Sequence, residues 1–370
     1  MHVVVVGASG NVGTAVLAAL ANEPVVTQLV GIARRVPRTE GASTVEFPHD
    51  AAQWVRLDLA ARDPRPGHGP TVTDRLADVL AGADTVIHVA RTPRADVGSR
   101  VRRDTDLLVA QRVFDAAAQA HVRHVVAASC TGAYSPSDDD SPRTESWPVR
   151  GGDETASAPW ARINTTTGAA AAADRPMTTT ARVERLLVAL SQNSDTIVTS
   201  MRTPIVLHRR VAGQLVRDVV GSLPSRPLRK DGTVPTVLWP DGLRIQVIHA
   251  DDLGEAYRKV VIQRQPGAFN LAAADVLSGQ DFADVVSNGQ MRTITDTQAR
   301  QALGAASRLG VAPVDPRWLA TLFDSPVLDT TLARELLRWA PEHDARSTLR
   351  EAVEGIRDGA GAQTPPLLPA

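Results

Sequence analysis

Three glycines at three-residue spacing, Gly7, Gly10 and Gly13, form the strongest candidate binding site in the sequence. They lie between a β-branched run, HVVVV, and an apolar helical pattern, VGTAVLAALAN. Glycine permits a sharp turn and a close approach of the backbone to a pyrophosphate, and the following helix supplies N–H donors and a positive dipole. We therefore predict a dinucleotide site rather than a turn that merely packs well, and its residues are Gly7, Ser9, Gly10, Asn11, Val12 and Gly13.

The end of the second apolar run, VTQLVGIA, predicts the choice of cofactor. Arg34 and Arg35 follow this run with no acidic residue beside them. An acid there would bind the ribose hydroxyls of NAD, whereas a guanidinium matches the 2′-phosphate of NADP. NADP(H) is therefore the predicted cofactor, with surface arginines unrelated to binding as the alternative. Asp58 and Leu59, after the third run, are candidates for the adenine edge, and a strand-end cap is the alternative for Asp58.

Apolar runs alternate with helical patterns through the first half of the chain. ADTVIHVA, RHVVAAS and TIVTSMRTP have the composition of buried strands, and residues 101–120 and 180–192 have helical periodicity. This alternation predicts βαβ units, and hence an α/β fold with a doubly wound parallel sheet. Further along, residues 243–263 predict a strand followed by a helix whose N-cap is Asp251 or Asp252.

The predicted domain organisation has two parts. Residues 1–204 are predicted to form a Rossmann nucleotide-binding domain, and residues 205–357 a smaller substrate lobe with returns to the core. The insert 135–178, rich in Ser, Asp, Pro, Thr and Ala, is too long for an ordinary connection and is either a disordered loop or a lid. Residues 358–370 are predicted to be a disordered tail.

Composition and charge exclude several classes of partner. The 40 basic and 41 acidic residues give a net charge of −1, which does not favour nucleic acid or an anionic membrane. No stretch approaches the ~20 apolar residues that span a bilayer, and the N-terminus lacks the basic region of a signal peptide. The single cysteine, Cys130, cannot form an intrachain disulfide and suits a reducing compartment. We expect a cytoplasmic protein that binds a small molecule, as a monomer or homodimer.

The order of several segments resembles a known family. GASGNVG, RLDLA, DTVIHVA, VRHVVAAS, VIHADDLGEAY and GAFNLAA together resemble the extended short-chain dehydrogenase/reductase family, the NAD(P)-dependent epimerase/dehydratase-like group, from residue 1 to about 357. The resemblance implies a Rossmann core, hydride transfer at C4 of nicotinamide and a Ser/Thr-Tyr-Lys catalytic set. It also implies cofactor contacts after the fourth and sixth strands, from Ala90, Arg91, Thr203 and Pro204.

The tyrosine and lysine of this catalytic set are missing. In the family, the tyrosine hydroxyl exchanges a proton with the substrate, and a lysine four residues later lowers the pKa of that hydroxyl. The chain has only two tyrosines and two lysines. Four residues after Tyr134 comes Asp138, and four after Tyr257 comes Val261. The usual proton donor is therefore absent.

Two alignments of the lost pair remain open. An alignment on Glu184 places Pro176 and Thr180 at the Tyr and Lys positions, whereas an alignment on an upstream proline places Trp160 and Asn164 there. Neither supplies an acid of suitable pKa or an ammonium group.

The remaining candidates for catalysis and substrate binding lie mostly at strand ends. The resemblance puts Cys130 at the family's Ser/Thr position, and the catalytic candidates are Ser129, Cys130 and Thr131. The predicted substrate contacts are Thr92, Tyr134, Trp160 and His208. His88 and His249 are interpreted as structural, and Arg202 as a structural ion-pair partner. No spacing of His, Cys, Asp or Glu indicates a metal site.

Three functional hypotheses follow. The first is an atypical NADPH-dependent ketoreductase acting on an aromatic polyketide-type ketone, with the proton coming from a substrate phenol or water. In this respect the chain is similar to the angucyclinone-type ketoreductases of antibiotic pathways, which also lack the Tyr/Lys pair. The second is a non-catalytic NADP-binding sensor or regulator. The third is a sugar-nucleotide epimerase or dehydratase with relocated catalytic groups. An apolar pocket favours the first, and a basic cluster facing a diphosphate favours the third.

Overall fold

The structure is a computed structural model that describes residues 1–37, 45–92, 99–137, 139–150, 177–217, 236–308 and 322–369. Within these residues the strands are β1 (His2–Val6), β2 (Gln28–Ala33), β3 (Gln53–Arg56), β4 (Thr85–His88), β5 (His124–Cys130), β6 (Ile197–Thr203), β7 (Ile205–Leu207), β8 (Val237–Pro240), β9 (Val247–His249), β10 (Gly267–Asn270) and β11 (Met291–Ile294).

The helices of the same residues are α1 (Asn11–Ala21), α2 (Val72–Leu80), α3 (Ser99–Gln119), α4 (Thr179–Asn193), α5 (Ala212–Leu215), α6 (Ala250–Gln263), α7 (Gly279–Val286), α8 (Asp296–Arg308), α9 (Thr331–Leu337) and α10 (Ala345–Asp358). None of them is long and apolar enough to cross a membrane.

Seven strands form one parallel sheet in the order β10-β6-β5-β4-β1-β2-β3. The order reverses between β1 and β4, because the chain builds outward from β1 in one direction and then from β4 in the other. Ligands of doubly wound sheets bind beyond the carboxyl ends of the strands at such a switch point. The predicted α/β fold class is therefore confirmed, and the site is expected beside Gly7 and Ala90, which follow β1 and β4.

The valines of β1 show why this strand lies in the middle of the sheet. Val3 and Val5 belong to the apolar cluster beneath α1 and α6, whereas Val4 and Val6 belong to the cluster beneath α2, α3 and α4. All four are at most 1% exposed, since alternate side chains of a strand point to opposite faces. An uninterrupted valine run thus fills both layers of the core.

The C-terminal part adds a third apolar cluster, which joins β8, β9, α7 and α10 around Trp239 and Val247. Small parallel pairs, β7 with β9 and β8 with β11, support it. In contrast, β10 and α9 return to the large sheet through Phe269 and Ala333. The boundary at residue 204 between a cofactor domain and a substrate lobe stays a prediction.

The structure differs from the sequence predictions at the N-cap of α6 and in the C-terminal tail, and it does not describe most of the predicted insert. The N-cap of α6 is His249 rather than Asp251 or Asp252, because its ring nitrogen accepts the N–H of Asp251. The tail prediction is wrong for residues 358–369, where a short 3-10 helix buries Thr364 and Leu367 completely. Of the predicted insert, residues 151–176 lie outside the described residues, so its proposed lid role stays a prediction.

Candidate functional site

The glycine-rich turn after β1 packs too tightly for side chains at two of its three glycines. Gly7 has φ +93°, and a Cβ added to it would lie 2.5 Å from the backbone nitrogen of Ala90. A Cβ on Gly13 would lie 2.3 Å from the carbonyl oxygen of Gly7. These two glycines therefore bring the end of β1 against β4 and the first turn of α1.

Gly10 is different, because a Cβ there would meet only the oxygen of Gly7, at 3.5 Å. It is the N-cap of α1, which has no side-chain cap and no acidic residue in its first turn. The helix dipole and the first-turn N–H groups consequently favour an anion at this end. Packing does not require glycine at this position, whereas close approach of a pyrophosphate does, so the turn fits the predicted dinucleotide.

The side chains of the turn point inward rather than toward such a ligand. Ser9 is 7% exposed, and Val12 packs against the core under α1. The Asn11 amide donates to the Val206 carbonyl at 3.3 Å, and its oxygen accepts from Arg210 Nε at 3.3 Å. The backbone of the turn is therefore the part suited to contact the cofactor, and Asn11 links it to the β7 segment.

Residues after β2 and β3 lie at the positions expected for the adenosine end. Arg34 and Arg35 directly follow β2, and both are exposed. Asp58 is also exposed, and its carboxylate accepts the N–H of Ala60 at 3.0 Å, as a strand-end cap would. Leu59 is 7% exposed and packs in the second core cluster, so its side chain is structural.

The loop after β4 is held by an acid of α3, Asp106. The Asp106 carboxylate accepts the N–H of Thr92 at 2.8 Å. Arg91 is exposed over part of its side chain, and its guanidinium lies beside Cys130 and Asp106. Burial of that group lowers its pKa, but Cys130 and Asp106 raise the pKa more, so Arg91 keeps its charge. A fixed positive charge thus lies between β4 and β5, next to Ala90.

Cys130 and Thr131 lie at the carboxyl end of β5, facing different partners. Cys130 Sγ is 3.4 Å from Thr180 Oγ1, in the first turn of α4. Thr131 Oγ1 is 3.1 Å from Ser325 Oγ. Of the four positions in the two alignments of the lost pair, only Thr180 lies in the described part of the chain, and a hydroxyl stands there.

Ser129 was a catalytic candidate, and the structure contradicts this role. It is 3% exposed, and its hydroxyl donates to Glu184 at 2.5 Å. Glu184 also accepts from Ser200 at 2.9 Å and from Arg202 at 2.7 and 2.9 Å. Burial raises the pKa of Glu184, but Arg202 and the hydroxyl donors outweigh burial and hold it below its usual value. The Ser129 hydroxyl therefore stabilises the buried ion pair of Glu184 and Arg202 and faces away from the candidate site.

Tyr134 was a predicted substrate contact, and it is fully buried instead. Its hydroxyl donates to Asn270 at 2.7 Å and accepts from Arg202 at 2.9 Å. Burial raises its pKa well above the ordinary value, so this phenol is a poor acid. The same network makes Arg202 a structural ion-pair partner.

A pocket of about 190 Å³ opens beside the ends of β5 and β6. The sheet contributes Thr131, Pro204 and Ile205, and the neighbouring Thr203 is buried, with its hydroxyl donating to the Ser129 carbonyl at 3.4 Å. Polar groups supply most of the pocket's exposed surface. The remaining lining comprises Ser137, Gly242, Ile245, Gln246, Val276, Leu322, Phe323, Ser325, Pro326 and Val327, together with the charged Asp139, Asp140 and Arg244. Sequence reasoning missed the contributions of residues 242–246 and 322–327.

The other predicted substrate contacts are not part of this pocket. His208 does not line it, and its ring instead lies 5.0 Å from that of His249, at the C-terminal lobe. That placement corrects its assignment as a substrate residue. Thr92 lies at the same sheet edge but outside the lining, and Trp160 lies outside the described residues. His88 is 5% exposed, and burial lowers its pKa to about 4, which fits a structural role.

Residues 3–160 match the model of the NAD dependent epimerase/dehydratase family. Comparison with curated protein sequences gives no match. Among solved structures, MoeE5 in complex with UDP-glucuronic acid and NAD is 18% identical with a TM-score of 0.61, covering 97% of this chain and 99% of that one. The DesIV double mutant, a dTDP-glucose 4,6-dehydratase from Streptomyces venezuelae with NAD and DAU bound, is 16% identical with a TM-score of 0.64, covering 97% of each chain.

A third similar structure is UDP-glucuronic acid 4-epimerase from Bacillus cereus in complex with UDP-glucuronic acid and NAD. It is 15% identical with a TM-score of 0.63, covering 97% of this chain and 99% of that one. These similarities extend over almost the whole chain and show that it has the fold of NAD-dependent epimerases and dehydratases.

Proposed function

We propose that this chain is an NADP(H)-dependent ketoreductase of the extended short-chain dehydrogenase/reductase family, acting on an aromatic polyketide-type ketone. The glycine-rich turn, with its uncapped α1 N-terminus, supports dinucleotide binding. Arg34 and Arg35 support NADP(H), since they occupy the place where NAD-specific sites carry an acid.

The observation that carries the substrate class is the lining of the pocket beside Thr131 and Pro204. Apolar side chains from four separate segments contribute to it, but polar groups supply more of its exposed surface than apolar groups do. The charged groups of this lining include two acids and a single arginine, and Arg244 is already paired with Asp140 at 2.6 Å. An uncharged ring system that carries several hydroxyl groups matches this surface better than a diphosphate does.

The proton for such a reduction has few sources among the residues that the structure describes. Ser129 is committed to Glu184, and Tyr134 is buried with a raised pKa. Cys130 and Thr131 lie near the reaction site, but each already shares a hydrogen bond with a hydroxyl. We propose that these two groups orient the substrate, and that a phenol of the substrate adjacent to the ketone, or a water, supplies the proton.

The protein's part in this chemistry is positioning. Bound NADPH supplies a hydride from C4 to the carbonyl carbon, leaving NADP⁺, while the carbonyl oxygen takes the proton and becomes an alcohol. The chain holds the ring system between the end of β6 and residues 322–327, and so fixes the distance between the reacting atoms. An intramolecular phenol hydrogen bond polarises the carbonyl before transfer.

A sugar-nucleotide epimerase or dehydratase is the second candidate, and the bound ligands of the structural relatives favour it. The lack of a basic cluster in the described pocket argues against a diphosphate there. A non-catalytic NADP-binding protein is a third candidate, and it gives no role to the pocket beside Thr131 and Pro204.

The test is to follow loss of NADPH absorbance with a hydroxyanthraquinone-like ketone and its O-methylated analogue, and to follow UDP-sugars by chromatography, because epimerisation and dehydration consume no NADPH overall. We expect turnover of the phenolic ketone and slower turnover of the methyl ether, because methylation removes the intramolecular proton. Cys130→Ala should keep measurable activity, whereas loss of all activity in this variant would assign the proton to the thiol. Conversion of a UDP-sugar without turnover of any phenolic ketone would support the epimerase candidate instead.

A further inference from the structure

Three imidazoles, His208, His249 and His343, form a cluster where β7, α6 and α10 meet. The rings of His249 and His343 stack at 3.8 Å, and those of His208 and His249 lie 5.0 Å apart. This imidazole cluster is only partly accessible, with side chains 18%, 3% and 38% exposed for His208, His249 and His343. None of these residues lines the pocket.

Two of the imidazoles serve as caps for backbone N–H groups. Nδ1 of His208 accepts the N–H of Arg210 at 2.9 Å, and Nδ1 of His249 accepts the N–H of Asp251 at 3.3 Å. The hydrogen of each neutral ring is therefore assigned to Nε2, which faces Asp251 at 3.5 Å in His208 and Glu351 at 3.0 Å in His249. Protonation would turn each Nδ1 from an acceptor into a donor, so it must break the cap.

The cluster is connected to the cofactor turn by two routes. Arg210 pairs with Asp251 at 2.7 Å and donates from Nε to the side chain of Asn11, the first residue of α1. Helix α6 also packs directly on α1, because a Cβ added to Gly254 would lie 2.5 Å from the Ala15 carbonyl oxygen. The Arg210 contacts therefore join the first turn of α6 to the first residue of α1, and the close packing at Gly254 joins the two helices one turn further on.

We propose that Arg210 is a positioning residue for the cofactor turn, and that neutral His249 keeps it in place by capping the N–H of Asp251, so that protonation of His249 weakens dinucleotide binding. The inference rests on the proposed function only in that the turn binds NADP(H). The affinity for the cofactor would then depend on pH through His249 and Arg210, which contact neither the glycines of the cofactor turn nor the substrate pocket.

The direction of the pH effect follows from the groups around His249. Burial lowers its pKa most and His343 lowers it further, with His208 acting in the same sense, whereas Glu351 of α10 and Asp251 of α6 raise it. The net shift is downward from about 6.5. The neutral cap is therefore complete above pH 6.5 and is lost as the pH falls through the lowered value.

Other charged groups near the cluster do not change this direction. Asp252 accepts from His343 at 2.9 Å, and Arg210 is already paired with Asp251. His49 contacts Thr14 of α1 and lies near enough to Arg210 to be affected by its charge, but burial lowers its pKa to about 4.

A bound cation is the alternative use of the cluster, since the ligand atoms of His208, His249 and Glu351 lie within 4.8 Å of one another. The hydrogen-bond pattern opposes it. A metal needs the lone pair of Nε2, but in both imidazoles Nε2 carries the hydrogen and Nδ1 is used by a backbone N–H. Chelation should accordingly leave cofactor affinity unchanged.

The test is the dissociation constant of NADPH, measured by fluorescence titration from pH 5.0 to 8.0 in the full chain. His249→Asn is the informative variant, because a carboxamide oxygen also caps an N–H but does not titrate in this range. The affinity of the wild type for NADPH should fall about fivefold as the pH decreases below 6.5, because the loss of one helix cap costs about 1 kcal/mol. The variant should lose most of this pH dependence. His68→Asn, a change at an exposed histidine, is the matched control and should behave as wild type.

Arg210→Gln provides a second measurement that leaves both capping imidazoles intact. It should weaken NADPH binding about fivefold at pH 7.5 and flatten the remaining pH dependence, because the contact to Asn11 is lost. Equal pH dependence in wild type and His249→Asn would overturn the inference, as would a change of affinity on adding EDTA. Failure to bind NADPH at any pH would overturn the proposed function as well, which distinguishes the two outcomes.

Discussion

Replacing Ser129 with alanine separates its structural role from a catalytic one. The buried Glu184 carboxylate accepts four hydrogen bonds, from Ser129, from Ser200 and two from Arg202. Ser129→Ala removes one donor to a charged group, which is worth about 2 kcal/mol. For a chain of this length, that corresponds to a fall of Tm by about 2 to 3 °C. The turnover number with a phenolic ketone should stay within about twofold of wild type.

The assay pairs urea unfolding, followed by fluorescence, with NADPH consumption at saturating ketone. Thr131→Val is the matched control, because Thr131 lines the pocket and its hydroxyl contacts only Ser325 in the described hydrogen bonds. This control should raise KM at nearly constant stability. A Ser129→Ala protein of wild-type stability but greatly reduced turnover would refute the reasoning, since the hydroxyl would then act on the substrate.

Three further predictions concern the cofactor site and the buried core. Replacing Arg34 and Arg35 with glutamine should weaken NADPH about tenfold in calorimetric titration and leave NADH nearly unchanged, because only NADPH carries the 2′-phosphate. Gly10→Ala should keep the thermal stability of the free protein but abolish measurable cofactor binding, whereas Gly13→Ala should lower Tm, because its Cβ would meet a backbone oxygen at 2.3 Å. Burial raises the pKa of Glu145 to about 7, so the wild type should lose stability as the pH rises from 4.5 to 7. Glu145→Gln does not titrate, and by pH 8 its free energy of unfolding in urea should have gained about 2 kcal/mol relative to the wild type.

The sheet could be predicted from sequence because local patterns determine it. The valine run of β1 is buried on both faces, and the glycine spacing after it matches a turn that excludes side chains at Gly7 and Gly13. The helix that starts at residue 250 was also predictable, but its cap was not, because the acceptor nitrogen of His249 depends on the tautomer that Glu351 imposes. Sequence preferences for caps favour the two aspartates.

The candidate site was less predictable because its parts come from distant segments. Adjacent residues of β5 have different surroundings, since Ser129 faces the buried Glu184 whereas Thr131 faces the pocket. Strand alternation alone does not reveal which face carries a buried ion pair. Phe323 and Ser325 join the pocket across nearly 200 residues of sequence, as the Thr131 to Ser325 hydrogen bond shows, and no local pattern encodes such a contact. The loss of the Tyr/Lys pair, by contrast, was visible from residue counts alone.

Hydride transfer from specifically deuterated NADPH to a phenolic ketone tests the central claim most directly. One of the two C4-deuterated epimers of NADPH should yield an alcohol carrying one deuterium at the former carbonyl carbon, detected by mass spectrometry, and the other epimer should yield none. Ser129→Ala should give the same labelled product. Recovery of unlabelled ketone with both epimers, from protein that binds NADPH, would contradict the assignment of this chain as a ketoreductase.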